Sequence, residues 1–245
     1  MILNLCLVFF TACLYIVSVE SLGLHQAKMT DDLRYAILRA HNNYRSQLAK
    51  GLVTDGSNKT MPKGKNIYKF VYKISIEKIA QATADNCKMA HPGTVGYGEN
   101  LWANSWAMDN LTEAVNGAPL SWWSEKDQCP ILANNLQVTP DVFDKCGHMT
   151  PMAWSHTTQI GCGIQLCPAQ DWCSGWNPPC YNTTLISCNY FNPTNDAGNI
   201  LMYEKGNPCS KDSDCDYYAN SKCDTSCGLC KAPLDATDPH KQPKN

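Results

Sequence analysis

Nowhere in the 245 residues is there a run of like charge or a glycine-rich phosphate loop. Charged residues make up only 17% of the chain and the formal net charge is -2, so neither nucleic acid nor an acidic membrane surface is an expected partner. The spacing H-E-x-x-H is missing, which removes the best-known helical zinc-protease arrangement. Arg-Gly-Asp and Lys-Gly-Asp are missing as well, which excludes recognition through either tripeptide. Beyond the N-terminus no stretch is long and apolar enough to cross a bilayer. Aliphatic residues become scarce from Gly206 onward, which removes the usual material of a core there.

What is present points outward. Met1 to Val19 holds no charged side chain and is almost wholly apolar, with small residues at Ser18, Ser21 and Gly23. This reads as a secretory leader over residues 1–21, the alternative being an uncleaved anchor. The chain has 15 cysteines, two of them (Cys6 and Cys13) in the leader. The others are Cys87, Cys129, Cys146, Cys162, Cys167, Cys173, Cys180, Cys188, Cys209, Cys215, Cys223, Cys227 and Cys230, a disulfide framework suited to an oxidising compartment. Their number is odd, so one thiol is left over. Asn58, Asn110 and Asn182 head N-x-S/T acceptors for glycosylation, whereas Pro193 spoils the one at Asn192.

The length suits one sizeable domain with a small appendage, here residues 28–204 followed by a cysteine-rich extension over 205–232 and a disordered tail over 233–245. Thr30-Asp31-Asp32 starts a helix with Leu33, Ala36, Ile37, Ala40, Tyr44 and Leu48 at helical spacing and Gly51 as its stop. It carries His41, for which a packing role is favoured over a site role. A second helix follows, with Ile76, Ile79, Ala80, Thr83, Cys87 and Ala90 as its stripe and His91 at its C-terminal end before Pro92-Gly93. Glu99 lies between a turn and an apolar pair, placed either to cap backbone amides or to enter a cavity. A third helix spans 109–126 with Trp122 and Trp123 inward, Pro119 as a kink or break, and Glu125 near its end. Residues 127–146 read as an irregular loop.

His148 opens a short helix anchored by Trp154 that runs into an alternating strand from Gln159 to Cys167; a second strand runs from Thr183 to Tyr190. Helices followed by strands indicate an α+β fold. The segment from Gly206 cannot bury a core and needs disulfides to hold it. Cys227-Gly228-Leu229-Cys230 has the C-x-x-C spacing, but without a second pair or a βαβ context it reads as structural.

Five stretches in order carry a resemblance: HNNYRS (41–46), AQATADNCKMAH (80–91), GENLW (98–102), WWSE (122–125), and GHMTPMAW (147–154) with ISCNY (186–190). Together they resemble the CAP superfamily of cysteine-rich secretory, antigen 5 and pathogenesis-related proteins, over roughly residues 30–203. The extension and the LAKG after the first helix look most like the venom-allergen-like secreted proteins of parasitic nematodes. Met149 stands where an aromatic is common in the family and Pro151 where glutamine is common.

The resemblance implies a three-layer α-β-α sandwich and a cleft lined by His91, Glu99, Glu125 and His148, able to take zinc or another divalent metal. It implies a non-enzymatic protein directed at a host, with a cell-surface receptor such as an integrin as partner. Sterol or fatty-acid transport is the second reading, for which Trp102, Trp106, Trp122 and Trp123 would supply apolar surface. A metal-dependent hydrolase is the third, and a serine-type site would need Ser155 or Ser124 beside His148 or His91. A homodimer is among the expected assemblies. The five cysteines after Tyr203 suffice for a hinge-like extension and fall short of the channel-blocking module that some relatives carry.

Overall fold

A computed structural model describes residues 27–94, 96–176, 182–191, 198 and 200–236. The expected leader lies outside the described residues, as do Cys180 and the tail from residue 237.

Helix α1, Asp31–Ala49, starts where Thr30 accepts the Leu33 N–H (3.3 Å) and two aspartates meet the positive helix end. Its inner face holds Leu33, Ala36, Ile37 and Leu48, as the spacing predicts, but also His41, Asn42 and Arg45. These three polar residues are tolerated because each is bonded. The Asn42 amide pairs with the N–H and C=O of Phe70 as a strand would (2.8 and 3.1 Å). The Arg45 guanidinium donates to the carbonyls of Tyr68, Met152, Trp154, Ser155 and Thr157 and lies 4.2 Å from the Phe70 ring centroid. Burial lowers its pKa to about 9, which still leaves it charged at neutral pH.

The central sheet has four strands in the order β2 (Val71–Tyr72), β5 (Gln159–Pro168), β6 (Asn182–Phe191) and β3 (Tyr97–Asn104). β5–β6 and β6–β3 are antiparallel, and β2 runs parallel to β5. Helix α2, Ile74–Asp85, covers one face. It lies directly on β5 because Gly161 and Gly163 have no side chains: a Cβ on either would come within 2.2 Å of Glu77 N or 2.4 Å of Gln81 Cα. Helices α1, α3 (Leu111–Ser124) and α5 (Met149–Ala153) form the layer on the other face. The result is a disulfide-braced α-β-α sandwich.

Five cystines are placed: Cys87–Cys167, Cys129–Cys146, Cys162–Cys188, Cys209–Cys223 and Cys215–Cys230. Cys173 is also in a disulfide, and Cys227 is the free thiol among the described residues. Each long-range cystine closes a loop that would otherwise cost chain entropy on folding.

Several expectations need correcting. The second helix stops at Asp85, because Asn86 and then Cys87, at φ +52°, turn the chain so that Cys87 can reach Cys167. His91 therefore lies on a loop and not at a helix end. Pro119 sits inside an unbroken α3. The expected loop 127–146 contains strand β4 (Gln137–Val138) and helix α4 (Pro140–Cys146), started by Thr139 accepting the Val142 N–H.

The extension does bury a small core. Tyr68 is enclosed by Cys209, Cys215, Tyr218 and Cys230, its hydroxyl bonds Ser221 and the Tyr218 N–H, and Leu229 joins the main core. The aromatic that makes this possible comes from the large domain, which the composition of the extension alone does not reveal. Cys230 exchanges backbone bonds with Ile67 and Lys69 (2.9 and 2.7 Å), so the extension is fastened along its length. At the start of the tail, Pro233–Ala236 forms a turn closed by Ala236 N–H to Pro233 O.

Candidate functional site: a cleft across the sheet edge

β3 is an edge strand, and the cleft straddles it. Glu99 sits opposite Asn189, which also faces Gly161, so its side chain leaves the sheet on the α2 side. Asn100, one residue on, points to the other side.

On the α3/α5 side, the end of α3 passes into a 3-10 turn, Glu125–Asp127, that sets the Glu125 carboxylate at the start of α5. Its Oε2 accepts the backbone N–H of His148 (2.9 Å) and of Met149 (3.0 Å), while Oε1 accepts from His148 Nδ1 (2.6 Å). One carboxylate thus satisfies two free helix-start donors and orients the imidazole. Asn100 Nδ2 donates to the His148 carbonyl (2.8 Å) and to the Tyr190 hydroxyl (3.1 Å). Tyr190 in turn meets His41 Nε2 (3.0 Å), and His41 Nδ1 donates to Ile37 O (2.8 Å). That carbonyl fixes the tautomer, so Nε2 accepts from Tyr190. Burial lowers the His41 pKa to about 4, with Arg45 adding to the effect and the Ile37 bond opposing it. His41 is a packed, neutral histidine, in keeping with the favoured reading.

On the α2 side, His91 Nδ1 donates to Glu99 Oε2 (2.9 Å), and the other carboxylate oxygen accepts from Ser187 Oγ (3.0 Å). Of the two roles open to Glu99, the structure gives the one toward the cavity. His91 is 58% exposed and Glu99 8%, whereas His148 is 38% and Glu125 20%.

The structure brings His91, Glu99, Glu125 and His148 together around an open cleft of about 300 Å³, with Phe143 and Asp144 as further walls. In each imidazole the carboxylate can only accept, so Nδ1 holds the proton and Nε2 of the neutral ring keeps its lone pair. Neither Nε2 has a hydrogen-bond partner among the described residues. That is the arrangement in which a carboxylate orients a metal-ligating histidine, which would leave two Nε2 atoms, and not four equivalent groups, to meet an ion. Among the described residues, the one group of three donor atoms within 4.8 Å of one another is Cys209, Cys215 and Cys223, and disulfides already occupy those sulfurs.

Nucleophilic chemistry finds less support. Ser124 Oγ donates to Ser121 O, and neither it nor Ser155 bonds an imidazole. Trp122 and Trp123 belong to the core: Trp122 Nε1 donates to Leu101 O and Trp123 stacks on Tyr44 at 5.0 Å. Trp106 is exposed, and the four tryptophans do not act as one surface. Of the glycan acceptors, Asn58 and Asn110 are exposed and Asn182 is half-buried at the start of β6. Asn110 also caps α3 through its Oδ1, which leaves its Nδ2 available.

The sequence reading missed Asn100, Tyr190, Arg45, Ser187 and Phe143. One signal was there: His41, Asn42 and Arg45 fall on the inward side of a regular helix, which marks a buried polar network.

The profile of the cysteine-rich secretory protein family, CAP, matches residues 38–190. The Ancylostoma secreted protein of Ancylostoma caninum is 30% identical over 212 residues, 84% of this chain, which spans 45% of that relative's length. Among solved structures, NaASP2 with Zn²⁺ superposes with a TM-score of 0.63 at 29% identity, over 83% of this chain and 97% of that one. The hookworm platelet inhibitor superposes with a TM-score of 0.56 at 26% identity, over 86% of this chain and 97% of that one.

Proposed function

Since this chain belongs to the CAP family of cysteine-rich secretory proteins, we propose that it is a secreted, non-enzymatic effector that acts on the immune or haemostatic cells of a host. The observation that carries the non-enzymatic reading is the state of the two imidazoles. Each Nδ1 is engaged by a glutamate, and no hydroxyl or thiol is bonded to either ring among the described residues. A side-chain nucleophile needs its activating base within hydrogen-bond reach, and among the described residues neither ring holds such a hydroxyl or thiol. The cystines and the fastened extension suit work outside a cell. Likeness to a platelet inhibitor supports a target on a host cell, with an integrin-type adhesion receptor as the specific reading.

The cleft on this reading takes a zinc-class ion, held by Nε2 of His91 and His148 with Glu99 and Glu125 orienting the rings. The ion would supply a fixed positive charge in the cleft. The chain's own part is to hold the two lone pairs ready and, through Arg45 and Asn100, to keep the His148 side rigid.

The test is adhesion of human platelets and neutrophils to integrin ligands, with purified glycosylated protein beside a His91→Ala/His148→Ala variant. Block by the wild-type protein supports the receptor reading, and block by both places the contact outside the cleft. Block by neither overturns it. Sterol or fatty-acid carriage is the competing outcome, detected as lipid extracted from the purified protein.

A further inference from the structure

Glu99 and Glu125 hold their histidines by the same bond but are themselves held differently. Glu125 Oε2 accepts two backbone N–H groups, so no single side chain sets its position. Among the described residues Glu99 meets no backbone donor: its Oε2 accepts from His91 Nδ1 (2.9 Å) and its Oε1 from Ser187 Oγ (3.0 Å). Ser187 lies on β6, paired with Leu101 of β3 and Gly163 of β5. It is two residues from Asn189, and so on the same α2 side of the sheet as Glu99. It is fully buried, and its hydroxyl makes no other hydrogen bond among the described residues. The hydroxyl proton therefore has one acceptor there, a carboxylate oxygen, which makes the bond a charge-assisted one.

The consequence reaches the cleft. His91 stands on a loop, more than half exposed, and its ring makes one hydrogen bond among the described residues, the one to Glu99. Whatever turns the Glu99 carboxylate removes the anchor of that ring. Without the Ser187 hydroxyl, Oε1 of a carboxylate that is only 8% exposed would lose its one donor. The group would then rotate to bring an oxygen to water, and His91 Nδ1 would lose its fixed acceptor. A neutral ring without that acceptor carries its proton on either nitrogen, so Nε2 would keep its lone pair only part of the time. We propose that Ser187 is the positioning residue of the His91 wall: through Glu99 it sets the tautomer of His91, and so the nitrogen left for an ion. The proposal deepens the ion reading of the cleft and rests on it for the ion alone, since the tautomer is a property of the metal-free chain.

The experiment is nitrogen NMR of the histidine rings in the full secreted chain with EDTA, at about pH 8, where an ordinary imidazole is neutral. The same samples, freed of EDTA, are then titrated calorimetrically with zinc. In the wild type His91 and His148 are both expected in the Nδ1–H form. Ser187→Ala should turn His91 into a mixture of the two tautomers, leave His148 as it is, and weaken zinc binding by roughly fivefold. Ser187→Thr keeps the hydroxyl and should keep the single tautomer. The alanine variant removes one oxygen and adds nothing; thermal unfolding checks its fold, and Ser187→Gly takes its place if it is not secreted. A mixture at His91 already in the wild type, a single Nδ1–H form without the hydroxyl, an equal change at both histidines, or unchanged zinc affinity overturns the proposal. No zinc binding by the wild type, with the His91 tautomer still dependent on Ser187, overturns the ion reading alone and upholds the positioning role.

Discussion

His148 and His91 make the same bond, imidazole Nδ1 to glutamate, in opposite surroundings. His148 opens a helix fixed at three points: Glu125 caps its start, Asn100 holds the His148 carbonyl, and Arg45 gathers the carbonyls at and beyond its end. His91 stands on a loop between α2 and β3, tied at Cys87 by a disulfide and by the Trp172 indole N–H on Cys87 O. In the first pair the histidine's own backbone is anchored; in the second it is the glutamate that is buried, and the ring reaches out to it. A cleft built this way has one wall anchored through its backbone and one held by a side-chain pair on a loop. An ion or ligand would meet a preformed half-site and order the other half.

Breaking the backbone-anchored wall should have the largest effect. Arg45→Ala removes the donors that satisfy five buried carbonyls, with an expected cost of about 4 kcal/mol or more. Thermal unfolding reads this as a large drop in Tm or as loss of secreted protein, and a melt near that of the wild type would contradict it. Arg45→Lys should not rescue, because an ammonium cannot span that set of acceptors.

Acid should loosen the same wall next. The native state refuses a proton at His41 until the pH falls to about 4, whereas the unfolded chain accepts one near 6.5. Over that window the unfolded state holds more protons, so stability is full above it and falls as the pH drops, by about 3 kcal/mol in total. Urea midpoints across the window check this against His41→Gln, which should lose the His41 share of the slope. An identical pH dependence in both proteins would remove His41 from the account.

A smaller contrast tests the two walls directly. Glu125→Ala strips the His148 and Met149 N–H groups of their acceptor and should cost about 2 kcal/mol. His91→Ala, at an exposed loop position, should stay within about 0.5 kcal/mol of the wild type. Equal melts for the two variants would erase the distinction.

How much of this could be read beforehand follows the same divide. The short helix at His148, its Trp154 anchor and the two long strands were legible because local signals there agree with the fold. His91 was placed on a helix end because Cys87 and Ala90 continue the apolar spacing, and periodicity does not report that Cys87 must turn to reach Cys167, 80 residues away. Likewise α4 hides in a segment whose helix start, Thr139-Pro140, is clear once Cys129 and Cys146 are seen to be paired. The four cleft residues were named through the family resemblance and not through spacing. Their division into two carboxylate-oriented imidazoles needed the distances.

On the proposed reading the imidazoles of His91 and His148 would hold one ion between them in the cleft. Calorimetric titration with zinc, on the wild type, each single His→Ala variant and the double variant, tests it most directly. The account predicts one site in the wild type, weakened by at least about tenfold in either single variant and lost in the double one. Zinc binding to the double variant with the affinity of the wild type would contradict it.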